Sequence, residues 1–177
     1  MDFELTNVMT SEDIDSMLHY VSTNKPTYYH QCYNLHDVDK WEGGINKETI
    51  PALNRIEDLC PDLKIYSHYF LKYGKDSFTK AHTDNDNIIS KTIITLLESK
   101  NLIGGETIVF TTYVEKPRPH NAERKGDAQY GKRIIPQVVS MFDGDSIIYD
   151  GKLTHMVSQV KQGHRIVLVS WFQNKDK

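Results

Sequence analysis

The chain has 177 residues, of which 38% are hydrophobic and 25% are charged, a composition typical of one globular domain with its own core. The formal net charge of -3 does not favour binding to nucleic acid, and no run of about 18 apolar residues is present that could cross a membrane. The N-terminus lacks the basic and apolar segments of a secretory signal, so we expect a cytoplasmic protein whose two cysteines, Cys32 and Cys60, are reduced.

Residues 1–62 are predicted to support the rest of the domain through two helices. A short edge strand over 3–6 comes first, and the hydroxyl and acidic side chains of 10–13 then mark a helix start. Residues 23–44 are polar, aromatic and rich in turn formers, and a second helix is predicted over 47–60. The apolar positions of the two helices are Ile14, Met17, Leu18 and Val21, and Ile50, Leu53, Ile56, Leu59 and Cys60. These stripes predict that both helices pack on the outside of a β-sheet.

From residue 65 the pattern changes to short apolar segments separated by Gly, Asp, Asn and Lys, which is typical of strands. Eight strands are predicted, over 65–73, 78–84, 90–97, 106–113, 133–141, 146–149, 154–160 and 165–172. We therefore expect a mainly β protein of the α+β class, in a single domain over 1–177. Its core over 65–173 would be a double-stranded β-helix, or jelly roll, with the N-terminal helices packed on one sheet.

The segment 114–132 differs from the strands on either side of it. It contains two prolines, two glycines and many charged residues, which predict a mobile loop. Two interpretations are open. The loop is either a lid or substrate-binding element beside the functional site, or a variable insertion exposed to solvent.

Two imidazoles and one carboxylate form a candidate metal site. His82 and Asp84 are two positions apart in a predicted strand, so their side chains point to the same face. His155 would reach them from a distant segment of the same sandwich. Two neutral imidazoles and one carboxylate suit Fe(II) and leave the opposite coordination positions open, whereas thiolates would favour zinc. The sequence therefore predicts that His82, Asp84 and His155 bind iron and act in catalysis.

Arg165 follows His155 by ten residues and opens the last predicted strand. Alternation divides that strand into two faces, Arg165, Val167, Val169 and Trp171 on one, and Ile166, Leu168, Ser170 and Phe172 on the other. A cation at the start of an inward-facing apolar row is costly unless an anion meets it. The guanidinium fork fits a small dicarboxylic acid such as 2-oxoglutarate. We predict that Arg165 binds this acid, that Gly163 marks the preceding turn, and that His164 faces away.

These motifs resemble those of the 2-oxoglutarate/Fe(II)-dependent dioxygenases, and within them the prolyl 4-hydroxylase-like group. The resemblance covers about residues 65–173 and includes the Phe-Leu-Lys-Tyr-Gly stretch at 70–74. The Gly-Gly-Glu-Thr-Ile-Val-Phe segment at 104–110 is similar to a hairpin of the collagen-type enzymes. Arg165 stands where those enzymes usually carry lysine, and in this the chain resembles the oxygen-sensing prolyl hydroxylases. It departs from the latter at Leu96, where they place a tyrosine.

The resemblance implies a set of cofactors and the residues that contact them. The cofactors are Fe(II), 2-oxoglutarate as co-substrate and O₂, with ascorbate as an optional addition. Tyr73 is implied to lie close to the bound 2-oxoglutarate, and Arg165 to bind its distal carboxylate. Because Leu96 replaces the tyrosine, Thr92 is the candidate for a second hydrogen bond to that carboxylate. Trp171, on the Arg165 face, is predicted to form a wall of the pocket.

The implied reaction hydroxylates an unactivated C–H bond while 2-oxoglutarate is converted to succinate and CO₂. A proline within a peptide or protein is the first predicted substrate, and a free amino acid or other small metabolite is the alternative. Nucleobase demethylation ranks lower, because Trp171 stands where such enzymes have a second arginine and the net charge is acidic. A non-catalytic jelly-roll binding module also ranks lower, because no metal ligand is missing.

Overall fold

The computed structural model describes residues 3–32, 34–84, 87–114 and 132–176. The elements in these ranges are β1 (Phe3–Asn7), α1 (Ser11–Thr23), β2 (Tyr28–Cys32), β3 (Leu35–Glu42), α2 (Leu53–Glu57), β4 (Leu63–His82), β5 (Lys91–Gly104), β6 (Thr107–Val114), β7 (Lys132–Val139), β8 (Asp145–Asp150), β9 (Thr154–Val157) and β10 (Val160–Asn174). The predicted loop over 114–132 lies outside the described residues apart from its two ends. None of the helices within the described ranges has the length and hydrophobicity needed to span a bilayer.

The strands build one antiparallel sheet that folds back on itself. Its order is β1-β8-β5-β10-β4-β9-β6-β7, with β3 and then β2 continuing from β4. Strand β4 belongs to both layers, because residues 63–73 pair with β10 whereas residues 79–82 pair with β9. This is the expected jelly-roll arrangement, and it leaves a cavity between the larger and the smaller layer.

Two apolar clusters lie on opposite faces of the larger layer. The outer face is covered by Met17 and Val21 of α1 and by Leu53 and Ile56 of α2. The strand residues beneath these helices include Phe70, Ile93, Leu97, Ile166, Leu168 and Phe172. The inner cluster includes Tyr69, Leu71, Tyr73, Ile94, Leu96, Val167 and Val169. The alternation predicted for the last strand is therefore confirmed, and so is the packing of the helices on one sheet.

The start of α1 is fixed by its own sequence. Thr10 Oγ1 accepts a hydrogen bond from the Asp13 backbone N–H at 3.2 Å, and the Asp13 carboxylate accepts one from the Thr10 N–H at 2.9 Å. This reciprocal pair satisfies two of the N–H groups that a helix leaves free at its start. The carboxylate of Asp13 also lies 2.7 Å from Arg55 Nε, which joins α1 to α2.

The second helix is shorter than predicted. Only Leu53–Glu57 is α-helical, although Ile50, Leu53 and Ile56 are buried as the apolar stripe requires. Asn46 Oδ1 accepts hydrogen bonds from the backbone N–H groups of Glu48 and Thr49, at 3.1 and 3.0 Å, and so holds a turn. Because an asparagine side chain can replace a helical bond in this way, and Pro51 donates none, the helix begins late.

Residues 23–44 contain two strands that the sequence analysis did not predict. β2 and β3 form a hairpin, and β3 pairs with β4 from Leu35 opposite Thr79 to Glu42 opposite Tyr69. The strand β3 was missed because its sequence does not alternate strictly between apolar and polar residues. Lys40 and Glu42 are charged, although they lie on the same face as the buried Val38. This hairpin extends the larger layer beside the cavity, so part of the region expected to be support forms cavity wall.

One pair of predicted strands is continuous in the structure, and the break within another predicted pair lies earlier in the chain than expected. Residues 63–82 form one strand that bends near Asp76, whose φ is +71°. In β10, Gly163 lies inside the strand, and the bend between strands occurs at residues 158–159. Gly163 has φ +75°, and a Cβ there would stand 2.2 Å from the Lys100 carbonyl oxygen. Glycine is therefore required where β10 shifts register against β5.

His68 is a buried histidine that links the outer face of β4 to α2. Its Nδ1 lies 2.8 Å from Ser170 Oγ, and its Nε2 lies 3.3 Å from a Glu57 carboxylate oxygen. Burial lowers the pKa of His68 below the usual 6.5, although Glu57 opposes this shift. The neutral imidazole therefore stabilises the fold above pH 6.5. This contribution is lost as the pH falls from that value toward the lower pKa of the folded state.

We expect replacement of His68 by glutamine to reduce the loss of stability in mild acid. As the pH falls from about 8 to about 5, the free energy of unfolding of the wild type should decrease more steeply than that of His68→Gln. The difference should reach up to about 1.4 kcal/mol per pH unit where His68 titrates. Urea unfolding at a series of pH values measures this difference. His19→Gln, on an exposed face of α1, serves as the control and should keep the wild-type pH dependence. Identical pH profiles for wild type and His68→Gln would contradict the assignment.

Candidate active site

A cavity of about 250 Å³ lies between the two layers of the sheet. Its walls are the inner faces of β4, β5 and β10, together with side chains of β3, β8 and β9. All seven residues predicted for the site line it: Tyr73, His82, Asp84, Thr92, His155, Arg165 and Trp171. The fold thus brings together side chains that are up to 98 positions apart in the sequence (from Tyr73 to Trp171).

His82, Asp84 and His155 converge at one end of this cavity. One possible ligand atom from each lies within 4.8 Å of the others. The two imidazole centroids are 4.3 Å apart, and His82 Nε2 lies 3.9 Å from Asp84 Oδ1. The convergence follows from strand register, because His82 at the end of β4 pairs with His155 on β9. Two nitrogen donors and one carboxylate are a donor set that suits a divalent iron ion.

Neighbouring groups orient all three side chains. His82 Nδ1 lies 2.7 Å from the Lys80 carbonyl oxygen, and His155 Nδ1 lies 3.1 Å from that of Leu153. A carbonyl accepts only from a protonated Nδ1, so the unprotonated Nε2 of each ring is left for an ion. Burial lowers the pKa of His155, with the charge of Asp84 opposing, which keeps its imidazole neutral.

Thr92 is also committed to this cluster. Its hydroxyl donates a hydrogen bond to Asp84 Oδ2. Thr92 is fully buried, and its hydrogen bond to Asp84 places its hydroxyl at the Asp84 end of the cavity.

The guanidinium of Arg165 lies at the other end, and only 3% of the residue is exposed. Its Nη1 donates to the Gly105 carbonyl oxygen, and both Nη1 and Nη2 lie 3.1 Å from Thr107 Oγ1. Its Nε has no hydrogen-bond partner within the ranges that the structure describes. Among the described residues, no carboxylate forms an ion pair with Arg165, and burial lowers its pKa. Its hydrogen-bond acceptors are neutral, and of the carboxylates that the structure describes only the charge of Glu106, which is not in ion-pair contact, favours the cation. A buried cation so weakly compensated is unfavourable, so this end of the cavity is suited to an anion.

The Gly-Gly-Glu-Thr segment explains how Arg165 is positioned. Gly105 has φ +72°, and a Cβ there would stand 2.8 Å from Val160 Cγ2, so only glycine lets its carbonyl approach the guanidinium. Thr107 supplies the second acceptor. The sequence analysis named this segment as a hairpin but did not assign Gly105 or Thr107 to Arg165. The available signal was the motif itself, since a glycine pair before a polar residue marks close backbone approach.

The remaining predicted residues occupy the two ends of the cavity. Tyr73 is paired with Arg165 across β4 and β10, with its ring centroid 5.7 Å from the guanidinium carbon. The Tyr73 hydroxyl lies 2.7 Å from Thr79 Oγ1. Trp171 is paired with Thr92 across β10 and β5, at the end of the cavity where Asp84 lies. Its indole Nε1 is buried and finds no hydrogen-bond partner among the described residues.

Tyr149 is a cavity residue that sequence reasoning missed. It is paired with Thr92 across β8 and β5, and its ring centroid lies 4.8 Å from that of His155. Its hydroxyl is buried and, in the part of the chain that the structure describes, has no hydrogen-bond partner. Burial together with the charge of Asp84 raises its pKa. It is therefore a protonated donor beside the His/Asp/His cluster. The sequence of β8 is that of an ordinary core strand, and tyrosine is common in such strands, so nothing in it indicated a role for Tyr149.

Comparisons with known proteins give matches in structure. No protein-family model and no curated protein sequence matches the chain. A prolyl-4-hydroxylase from Pseudomonas putida matches with a TM-score of 0.63 and 12% identity, over 98% of this chain and 93% of that one. A prolyl hydroxylase from Trichoplax adhaerens, in complex with a hypoxia inducible factor oxygen degradation domain peptide fragment, matches with a TM-score of 0.67 and 10% identity, over 99% of this chain and 84% of that one. The epimerase SnoN, in complex with Fe³⁺, alpha ketoglutarate and nogalamycin RO, matches with a TM-score of 0.69 and 12% identity, over 98% of this chain and 79% of that one.

The chain has the fold of the 2-oxoglutarate/Fe(II) oxygenases. The matched structures include one with a peptide and one with a small molecule, so this fold serves different substrate classes.

Proposed function

We propose that this protein is an Fe(II)- and 2-oxoglutarate-dependent dioxygenase that hydroxylates an unactivated C–H bond. The observation that carries the proposal is a buried Arg165 without an ion-pair partner among the described residues, facing the same cavity as the His82, Asp84 and His155 cluster. A dicarboxylic acid fits both features at once. One of its ends pairs with the guanidinium, and the other can reach an ion held by the cluster.

In this proposal His82, Asp84 and His155 bind the iron, and Arg165 binds the distal carboxylate of 2-oxoglutarate. Bound Fe(II), together with 2-oxoglutarate and O₂, supplies the oxidising chemistry. The protein orients the reactants: Gly105 and Thr107 fix the guanidinium, and the carbonyl groups at Lys80 and Leu153 fix the imidazoles. Apolar side chains between the two ends, Leu71, Ile94, Val157, Val167 and Val169, exclude water.

The assay that tests the proposal combines Fe(II), 2-oxoglutarate and O₂, with and without ascorbate, and measures succinate release. We expect release that is abolished by a chelator and restored by Fe(II). Thermal unfolding provides a second readout, since 2-oxoglutarate should raise the melting temperature of the metal-loaded protein. Absence of both effects would contradict the proposed function.

The sequence analysis proposed Thr92 as a second donor to the distal carboxylate of 2-oxoglutarate. Because its hydroxyl donates to Asp84, we propose instead that Thr92 acts on the metal site by orienting Asp84, and that Tyr73 lines the co-substrate site beside Arg165. Replacing Thr92 by valine keeps the shape and removes the hydrogen bond to Asp84. We expect affinity for Fe(II) or Mn(II) to fall about 10–100-fold, as for other partners of metal ligands. Anaerobic metal titration measures this effect.

The matched control for this variant is Thr95→Val. Thr95 Oγ1 lies 2.7 Å from Ser146 Oγ on the opposite face of β5, away from the cavity. Its replacement should lower stability and leave metal affinity unchanged. If Thr92→Val binds metal as tightly as the wild type, Thr92 does not orient Asp84.

Two substrate classes follow from the proposal. A proline within a peptide is supported by the Gly-Gly-Glu-Thr segment and by the likeness to prolyl hydroxylases. A free amino acid or other small metabolite is supported by the volume of the cavity, about 250 Å³, which lies below the ~300–1,000 Å³ usual for ligand pockets. The same assay, run with proline-rich peptides and with free amino acids, distinguishes the classes by which one stimulates succinate release.

A further inference from the structure

A lysine and an indole ring both contact one tyrosine ring in the wall of the cavity. Lys40 Nζ lies 4.3 Å from the centroid of the Tyr69 ring, and the Trp171 ring meets the same ring edge-on at 5.1 Å. All three side chains line the cavity. We refer to Lys40, Tyr69 and Trp171 as the β3–β10 cluster.

The β3–β10 cluster extends away from the Arg165 end of the cavity. Trp171 follows Arg165 by six residues on the same face of β10, which corresponds to roughly 20 Å of strand. Trp171 is paired with Thr92, the hydrogen-bond partner of Asp84. By register Lys40 lies opposite Leu71, and Tyr69 lies opposite Val169. The cluster therefore extends from the middle of the cavity toward its His/Asp/His end, where the substrate of the proposed reaction must present its C–H bond.

Both hydrogen-bonding groups of the cluster have donors to spare. Trp171 Nε1 is a buried donor, and the described part of the chain offers it no acceptor. Lys40 is the only lysine among the described residues that line the cavity, and 16% of its side chain is exposed. Its one ion-pair partner within the described ranges is Glu42, at 3.1 Å, which is 37% exposed and does not line the cavity. An ammonium group has three donors, so Lys40 can bind a second anion from the cavity side.

We infer that Lys40 and the indole N–H of Trp171 bind a carboxylate of the primary substrate, which is a small carboxylic acid such as a free amino acid. This inference rests on the proposed function, because it assigns the Arg165 end to 2-oxoglutarate. The charge of Lys40 selects an anion, and the N–H of Trp171 adds a second hydrogen bond to the same group. The small cavity, which must also hold the co-substrate, favours a compact acid over a capped peptide.

The experiment uses matched probes that differ only in the carboxylate. Free L-amino acids are compared with their carboxamides and with a proline-containing peptide blocked at both ends, through stimulated succinate release by the Fe(II)-loaded protein. We expect at least one amino acid to stimulate release and its carboxamide to require a concentration at least tenfold higher. In Lys40→Met the KM for that amino acid should rise about tenfold or more. In Lys40→Arg, which keeps the positive charge, the KM should stay close to the wild-type value.

Controls separate this inference from the proposed function. Lys72→Met removes a lysine from the opposite face of β4 and should behave as the wild type. A Lys40→Met defect that appears in the 2-oxoglutarate requirement would assign Lys40 to the co-substrate and overturn the inference, leaving the proposed function intact. Stimulation by carboxamides or the blocked peptide alone, or by no probe at all, would also overturn it. A wild type that neither binds 2-oxoglutarate nor forms succinate would instead remove the proposed function.

Discussion

Replacing His82 or Asp84 by alanine is expected to abolish metal-dependent succinate release. Each change removes one of three ligand atoms that lie within 4.8 Å of one another. Loss of a partner that merely orients a ligand lowers metal affinity about 10–100-fold, so loss of the ligand itself should exceed that range. Anaerobic Fe(II) titration and succinate release, measured on the same preparations, check the two parts of this expectation.

The control for the ligand variants is His164→Ala. His164 lies on β10 next to Arg165, but it faces away from the cavity, with its Nε2 2.6 Å from a Glu98 carboxylate oxygen. Its loss should leave metal binding and succinate release as in the wild type. A His82→Ala or Asp84→Ala protein that retains both iron and succinate formation would show that the cluster is not the metal site.

Replacing Arg165 by methionine is expected to raise the 2-oxoglutarate requirement by about 30-fold to more than 1,000-fold. Removing one partner of a buried, hydrogen-bonded charge pair costs about 2–5 kcal/mol, and each ~1.4 kcal/mol corresponds to a factor of ten. The dependence of succinate release on 2-oxoglutarate concentration measures the effect. Arg165→Lys keeps the positive charge but not the planar guanidinium, so its 2-oxoglutarate requirement should lie between those of the wild type and Arg165→Met.

Stability gives an independent test of Arg165. Removing the guanidinium also removes the donors to the Gly105 carbonyl and Thr107 hydroxyl, so the melting temperature of each protein without co-substrate serves as its own baseline. Adding 2-oxoglutarate to metal-loaded protein should raise the melting temperature of the wild type and leave that of Arg165→Met unchanged. Arg55→Met, at an exposed ion pair with Asp13, is the matched control and should respond to 2-oxoglutarate as the wild type does. An unchanged 2-oxoglutarate requirement in Arg165→Met would rule out its assigned role.

Local sequence was sufficient where the geometry of one element decides which way a side chain points. The alternation of β10 correctly separated Arg165 and Trp171 from Ile166 and Phe172, because successive side chains of a strand point to opposite faces. The capping residues of α1 were likewise readable, since Thr10 and Asp13 satisfy each other across one turn. His82 and Asp84 could be joined as a pair for the same reason.

Sequence was insufficient where local preferences compete with distant contacts. The hairpin of β2 and β3 forms because β4 offers it an edge, although Lys40 and Glu42 break the apolar alternation of β3. The bend in β4 looked like a strand end because both halves are kept extended by distant partners, β10, β9 and the β3 strand that pairs across the bend. The helix over 47–60 was shortened by the turn at Asn46, where a side chain competes with the backbone for hydrogen bonds.

The sequence by itself determined the fold class, the pairing of His82 with Asp84, and the face of β10 on which Arg165 lies, because each depends on spacing along one chain segment. Only the tertiary structure decided that Gly105 and Thr107 hold the guanidinium and that Thr92 bonds to Asp84. It also decided that Tyr149 stands beside His155. These contacts join strands through register and sheet closure, and the positions that meet across a closed sheet are set by pairing between distant segments.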